Sequence, residues 1–201
     1  QIGITARCLP ADVDESLLVG ESAFDYVQRL ALAKAETVAA RLGHVREPIW
    51  VLAADTTVVA AGEVLAKPES FSDAQRIWRH LQAPDHSVLT GIALWHNGTI
   101  VSRVVSTRVD FAGIPDAEQR IYWDSGEPQD KAGAYAIQGR AALYIRGIEG
   151  SYSNVVGLPL AETAAALELA KAEEGALYAA IASKCKKTAA PPSKTAQENV
   201  K

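Results

Sequence analysis

The chain has 201 residues, of which 48% are hydrophobic and 22% are charged, a balance that excludes a wholly disordered protein. Its 20 basic and 24 acidic residues give a formal net charge of −4, which argues against a protein that coats nucleic acid. No uncharged apolar run is long enough for a membrane span, and no secretory signal opens the sequence. We therefore expect a cytoplasmic protein with neither nucleic acid nor membrane as a partner.

The cysteines and histidines give no sign of a metal cluster or a thiol enzyme. Cys8 and Cys185 lie near opposite ends of the chain and fit neither a disulfide framework nor a metal-ligand spacing. The four histidines, which also lack ligand spacing, are His44, His80, His86 and His96. We expect the cysteines to be reduced and the histidines to be structural or exposed.

The first predicted elements are a strand within residues 2–9 and a long helix that Ser22 caps and that runs to Leu42. Lys34 falls within the apolar stripe of this helix. Such a lysine either extends to the edge of the stripe or points into a polar site, and the helical wheel alone favours the edge.

An apolar run over residues 49–54 predicts a buried strand that stops at Asp55 and resumes at residues 58–60. Gly62 predicts a tight turn immediately after it. A carboxylate in an apolar stretch is costly unless it is paired, hydrogen-bonded or bound to a metal. Asp55 is therefore a candidate functional residue, and a cap for neighbouring backbone amides is the alternative.

The following segments predict a mixed α/β fold with at least one antiparallel hairpin. Ser72 and Gln75 fit a capping box at the start of a helix. The remaining predicted elements are strands at 88–94 and 99–111 joined by Asn97-Gly98, a helix at 115–123, a strand at 136–145, an irregular link at 151–160 and a helix at 161–182. We expect one domain over residues 1–183 and a disordered tail over residues 184–201.

Carboxylates and lysines carry the remaining chemical signal. Three acids, namely Glu15, Asp55 and Asp130, are candidates to hold a divalent ion or to orient a water. Three lysines, namely Lys34, Lys67 and Lys131, are candidates to meet negative oxygens. This combination suits hydrolysis of a phosphate ester or anhydride, although a solvated surface also carries such residues.

Several motifs occur in an order that resembles the Maf family of nucleoside triphosphate pyrophosphatases. The matching segments are residues 26–31 (YVQRLA), 34–35 (KA), 54–56 (ADT), 58–59 (VV), 62–65 (GEVL), 67–68 (KP), 86, 90–91 (TG), 130–135 (DKAGAY), 137–139 (IQG), 150–152 (GSY) and 154–160 (NVVGLPL). The resemblance covers residues 1 to about 175. It implies an elongated mixed sheet flanked by helices, with two lobes and a central cleft, as in inosine triphosphatase-like folds.

The resemblance also implies an activity, a cofactor and residue roles. The family hydrolyses nucleoside triphosphates to the monophosphate and pyrophosphate with Mg²⁺ or Mn²⁺, and its members are often homodimers. Asp55 would activate the attacking water and bind metal together with Glu15, while Lys34 and Lys67 would contact the triphosphate. Lys34 would then point inward, and we expect Asp55 to face a pocket shared with both lysines. Lys131 and Tyr135 would shape the loop or contact phosphate.

Thr56 and Gln138 match the positions that the family uses to select the base. Gln138 resembles the branch that acts on dTTP and UTP, because a neutral amide offers a pyrimidine edge both a donor and an acceptor. The branch that acts on 7-methyl-GTP has an acid there. A 7-methyl-GTP pyrophosphatase and a non-catalytic nucleotide-binding regulator of cell division are the alternatives.

The sequence departs from the family at its start. Family members open with a strand and a Ser-x-Ser-Pro-Arg-Arg loop that surrounds the phosphates. This sequence instead starts at Gln1, at a position that corresponds to a point after that loop. We therefore expect the 201-residue chain to be weakly active or inactive.

Overall fold

A computed structural model of the chain describes residues 5–43, 49–170 and 176–182. Its strands are β1 (Arg7–Ala11), β2 (Ile49–Ala60), β3 (Glu63–Leu65), β4 (Ser87–His96), β5 (Thr99–Phe111), β6 (Ile145–Glu149) and β7 (Ala176–Ala182). Its α-helices are α1 (Ala23–Leu42), α2 (Phe71–His80), α3 (Asp116–Asp124), α4 (Tyr152–Val156) and α5 (Leu160–Ala170). None of the helices in these ranges is long and apolar enough to cross a membrane.

The strands form one mixed sheet of seven strands in the order β1-β7-β2-β4-β5-β6, with β3 paired to β2. β7 runs parallel to both β1 and β2, whereas β4, β5 and β6 pair antiparallel. This arrangement confirms the predicted mixed α/β class with its sheet flanked by helices. The predicted Asn97-Gly98 hairpin is also confirmed, because both turn residues have the positive φ, 47° and 83°, that a tight two-residue turn requires.

Helix α1 packs on one face of β2 and β4. Ser22 caps it as predicted, with its side chain accepting from the Asp25 amide. Its stripe joins Val51, Ala53 and Ala93 in an apolar cluster. Gly91 lets the helix approach closely, since a Cβ there would lie 2.3 Å from the Val27 carbonyl oxygen.

Two further clusters cover the other face of the sheet. α5 packs with Leu52 and Leu94 toward one end of β2, through Leu167. A large aromatic cluster covers the opposite end and includes Trp78 and Tyr122. These two clusters therefore lie toward opposite ends of β2 on the same face of the sheet.

Two predicted boundaries in the first half of the chain are wrong. β2 continues through Asp55 without a break, because its backbone pairing with β4 is maintained across Asp55–Gly91 and Thr56–Thr90. α2 begins at Phe71, and its cap is Ser70 rather than Ser72, with the Ser70 side chain accepting from the Asp73 amide.

Three predicted elements in the second half also need correction. The segment at 136–145 is not a strand; a 3-10 helix spans Arg140–Tyr144, and Glu127 accepts from the Arg140 amide. The link at 151–160 contains the short helix α4. The helix expected at 161–182 ends at Ala170, and residues 176–182 form β7, because backbone pairing with two strands outweighs the helical preference of alanine. The tail predicted at 184–201 lies outside the described residues.

Candidate active site

Lys34 lies between two carboxylates on the α1 face of the sheet. Its Nζ is 2.5 Å from Asp55 Oδ1 and 2.9 Å from Glu15 Oε1. The residue is only 3% exposed, so its ammonium points inward and the position at the helix edge favoured by the helical wheel is wrong. The helix thus brings a cation to the carboxylate that interrupts the apolar run of β2.

The charges of this cluster, Glu15, Lys34 and Asp55, depend on one another. Burial is the largest influence on Asp55 and raises its pKa, although Lys34 acts in the opposite direction. Burial tends to lower the pKa of Lys34, but its contacts with Asp55 and Glu15 outweigh that effect and raise it overall. Lys34 therefore remains an ammonium, and Asp55 holds a proton more readily than an exposed aspartate does.

The segment that carries Glu15 is fastened to α1 by side chains of the helix. The Tyr26 hydroxyl donates to the Glu15 backbone carbonyl at 2.8 Å. Arg29 donates to the Ser16 carbonyl and forms an ion pair with Glu21 at 2.6 Å. Glu15 itself is more open than its partners, with 47% of its side chain exposed against 12% for Asp55.

A cavity of about 220 Å³ lies on the opposite face of β2. The residues of interest that line it are Thr56, Lys67, Asp130, Lys131, Tyr135 and Gln138. The cavity therefore brings together, in one place, the two candidate residues for base selection, one candidate phosphate contact and the loop at residues 130–138. Lys131 pairs with its neighbour Asp130, which lies away from the Asp55 carboxylate on the far face.

Asp55 and Thr56 are adjacent in an uninterrupted strand, so their side chains point to opposite faces of the sheet. Lys67 lines the Thr56 cavity, and the expected pocket shared by Asp55 with both lysines is therefore wrong for Lys67. Of these two lysines, Lys34 is the one that contacts Asp55. The candidate residues thus form two groups, one on each face of β2.

Among the described residues, strand pairing along one edge of β2 is interrupted between the parts that pair with β7 and with β3. On this edge β7 pairs with β2 as far as Ala53, and β3 pairs with it from Val58 onward. Within the described residues, positions 54–57 have no strand partner on this side, and we call this stretch the edge gap.

Thr56 is held by residues that sequence reasoning did not single out individually. Its hydroxyl lies 2.9 Å from Thr90 Oγ1 and 3.3 Å from the Gly157 carbonyl, to which it donates. Asn154 is fully buried and donates to the Val88 carbonyl at 2.9 Å, which fixes α4 against β4. These residues belong to the motifs at 90–91 and 154–160, so their place in a motif was the available signal.

His86 supports the wall of the cavity and is structural, as expected. Its ring is fully buried and packs edge-on against Tyr135, whose hydroxyl lies 3.3 Å from Nε2. Burial lowers the pKa of His86 to about 4, so the imidazole is neutral near pH 7. His86 therefore positions Tyr135 without supplying charge to the site.

The donors at Glu15 and Asp55 fit a divalent cation. Both are carboxylates, and Mg²⁺ typically uses one or two carboxylates together with water and substrate phosphates. No group of three or more metal-binding side chains occurs in the part of the chain that the structure describes. Asp130 pairs with Lys131 in the cavity on the other face and does not belong to the Glu15–Asp55 pair.

A family model and several related proteins match this chain, and they point to the same family. A family model described as Maf-like protein matches residues 1–170. A dTTP/UTP pyrophosphatase of Hahella chejuensis is 50% identical over 168 residues, which cover 83% of each chain. Proteins with the same description from Anaeromyxobacter dehalogenans (strain 2CP-C) and Myxococcus xanthus are each 48% identical; the alignments cover 85% of this chain and 86% and 84% of theirs.

The family match spans most of the described fold and includes both groups of candidate residues. The sequence identity to these relatives is high enough to place the proteins in one family, and the alignments cover most of each chain. The chain therefore belongs to the Maf family of proteins.

Proposed function

We propose that this protein hydrolyses dTTP and UTP to the nucleoside monophosphate and pyrophosphate. The relatives described as dTTP/UTP pyrophosphatases support this activity and its substrates. The observation that carries the proposal is the edge gap, where Asp55 and Lys34 lie on one face of β2 while Thr56 and Gln138 line the cavity on the other. One extended nucleotide lying across this edge would contact both groups.

In this proposal Asp55 is the general base. Its carboxylate takes a proton from water as the water oxygen bonds to phosphorus and the bond to the departing pyrophosphate breaks. A raised pKa suits this role, because a base with a pKa closer to neutrality accepts a proton more effectively in the transition state. The low exposure of the Asp55 side chain limits competition from bulk water.

Lys34 and Lys67 would offset the negative charge that the reacting phosphates carry. Lys34 is close enough to Asp55 to act at the reacting phosphoryl group, and Lys67 lines the cavity on the other face. A divalent ion, Mg²⁺ or Mn²⁺, held by Glu15 and Asp55 would neutralise charge on phosphate oxygens.

Gln138 and Thr56 would select the base. Gln138 lines the cavity, where its amide can both donate to and accept from a pyrimidine edge. The Thr56 hydroxyl already has partners at Thr90 and Gly157, so its position is fixed before a ligand enters. These groups would favour one base over another, because a mismatched base would cover them and leave them unpaired.

The test is a panel of triphosphates assayed with Mg²⁺ and with Mn²⁺, with release of pyrophosphate and of phosphate measured separately. We expect dTTP and UTP to be the preferred substrates, with pyrophosphate as the product. In the Gln138→Glu variant we expect the preference for dTTP over 7-methyl-GTP to fall by about tenfold or more, because a carboxylate favours the cationic base. Release of phosphate alone, or an unchanged preference in Gln138→Glu, would contradict the proposed activity or the proposed base contact, respectively.

A further inference from the structure

We infer that Lys34 is a built-in cation that occupies the divalent-metal position and that metal binding must displace its ammonium. The inference rests on the proposed function in taking Glu15 and Asp55 as the metal-binding pair. It adds a regulatory role for Lys34: until metal and nucleotide arrive, the chain itself offsets one of the two carboxylate charges.

The geometry places one ammonium where a metal ion would lie. A single nitrogen, Lys34 Nζ, is within 3 Å of an oxygen of each carboxylate, at 2.5 Å from Asp55 and 2.9 Å from Glu15. An ammonium carries three donors, so one nitrogen can bridge two acceptors. Glu15 and Asp55 therefore converge on one point that already holds a positive charge.

Position and repulsion make the two cations exclusive. The pair of carboxylates carries two negative charges, and Lys34 leaves a net charge of about −1 on the cluster. A divalent ion placed between the same oxygens would lie within a few ångströms of the Lys34 ammonium, in a partly buried site where repulsion is strong. The ammonium must leave before the ion can use both carboxylates.

Lys34 also blocks the proposed base. Its contact at 2.5 Å engages Oδ1 of Asp55, and the side chain is only 4% exposed. While this ion pair is intact, the ammonium occupies that carboxylate oxygen, so the oxygen is not free to accept a proton from water. Displacement of Lys34 toward phosphate oxygens would free Asp55 and supply a cation to the substrate at the same time.

The cluster has a side through which this exchange can occur. Nearly half of the Glu15 side chain is exposed, and Glu15 belongs to a segment without helix or strand structure between β1 and α1. A lysine has a flexible stem of four carbons, so its ammonium can move while its backbone stays in α1. An entering ion would therefore meet Glu15 first and Lys34 second.

The experiment measures Mn²⁺ binding to the full chain by calorimetry, with metal alone and no nucleotide. We expect Lys34→Gln to bind Mn²⁺ about tenfold more tightly than the unmodified chain, because the competing cation is gone. Arg41→Gln is the matched control, since it removes one positive charge at the exposed end of the same helix and should leave the affinity unchanged. Equal or weaker binding by Lys34→Gln would overturn the inference.

A second measurement uses the unmodified chain and does not depend on any variant folding. Mg²⁺ is added while the side-chain ¹H–¹⁵N NMR signal of the Lys34 ammonium is followed. We expect the signal to shift or broaden with the affinity seen for Mg²⁺ by calorimetry, and Glu15→Gln should abolish both responses. A Lys34 signal that stays constant while Mg²⁺ binds would show that the two cations do not compete.

These outcomes are separate from the test of the proposed function. Metal competition at Lys34 is read without nucleotide and without turnover, so it can hold even if dTTP is not hydrolysed. If the unmodified chain hydrolyses dTTP but Lys34→Gln binds Mn²⁺ with unchanged affinity, the proposed function stands and only the role given to Lys34 is rejected.

Discussion

At the scale of single residues, Asp55 and Thr56 are neighbours on one strand, and their side chains belong to candidate sites on opposite faces of the sheet. Strand geometry alternates side chains, so two neighbours on β2 serve separate surfaces without any bend in the backbone. Asp55 meets the lysine of α1, and Thr56 meets the hydroxyl of Thr90. A substitution at either position should therefore affect one group and leave the other in place.

The sequence identifies Asp55 more readily than it identifies its partners. A carboxylate in an apolar strand is conspicuous because its burial needs compensation. The direction of the Lys34 side chain cannot be read from a helical wheel, since the wheel gives its face but not the acceptor beyond it. Lys67 and Gln138 have no periodic signal at all, because they lie in irregular segments that only the folded chain brings to the cavity.

His86 provides a prediction at this scale, because burial of a neutral histidine makes stability depend on pH. Its pKa is about 4 in the folded protein and about 6.5 when unfolded, so only the unfolded state gains a proton between these values. The contribution is therefore fully present above pH 6.5 and is lost as the pH falls toward 4.

Lowering the pH from about 7.5 to about 5 should reduce the free energy of unfolding by about 2 kcal/mol through His86 alone. Urea denaturation at both pH values, for the unmodified chain and for His86→Gln, checks this. Other titratable groups contribute equally to both proteins. The loss of unfolding free energy between the two pH values should therefore be smaller in His86→Gln by about this amount. The same pH dependence in both proteins would contradict a buried neutral imidazole.

At the scale of elements, the position of Lys34 depends on how closely α1 approaches the sheet. Gly91 of β4 is the cross-strand partner of Asp55 and lies beneath the Val27 turn of the helix. A side chain at this position has no room, since both the oxygen and the carbon of the Val27 carbonyl lie within 2.6 Å of the Cβ position. The absence of a side chain at Gly91 thus allows the ion pair between Lys34 and Asp55.

Gly91→Ala should lower the free energy of unfolding by about 3 kcal/mol, because backbone atoms of α1 must move to accept a methyl group. Gly147→Ala in β6 is the matched control, since nothing lies within 4 Å of its Cβ position. Urea denaturation of the two variants should show a loss several times larger for Gly91→Ala. Equal stability of the two variants would contradict the close packing of α1 on β4.

Local patterns predict the elements best where the pattern and the backbone pairing agree. The helix capped by Ser22 and the Asn97-Gly98 hairpin follow directly from capping and turn chemistry. The alanine-rich segment at 161–182 is different, because its composition suits a helix while its second part pairs with β1 and β2. Pairing partners from distant parts of the chain cannot be read from the segment itself.

At the scale of the whole molecule, the edge gap arises from the order of the strands. β7 and β3 pair with different parts of the same edge of β2, and within the described ranges neither strand pairs with residues 54–57. Motif order predicts the family and the mixed sheet, but strand order and the two-faced arrangement need the fold. Assembly as a homodimer and a cytoplasmic location stay predictions.

Asp55, as the base that activates water, is the residue on which cleavage of a pyrimidine triphosphate depends most. The direct measurement is the rate of pyrophosphate release from dTTP by the chain and by Asp55→Asn, with Asp124→Asn as a control for loss of an exposed carboxylate. We predict that Asp55→Asn lowers the rate by at least about 100-fold, the usual contribution of a general base, while Asp124→Asn retains the original rate. Hydrolysis of dTTP by Asp55→Asn at an undiminished rate would contradict the account.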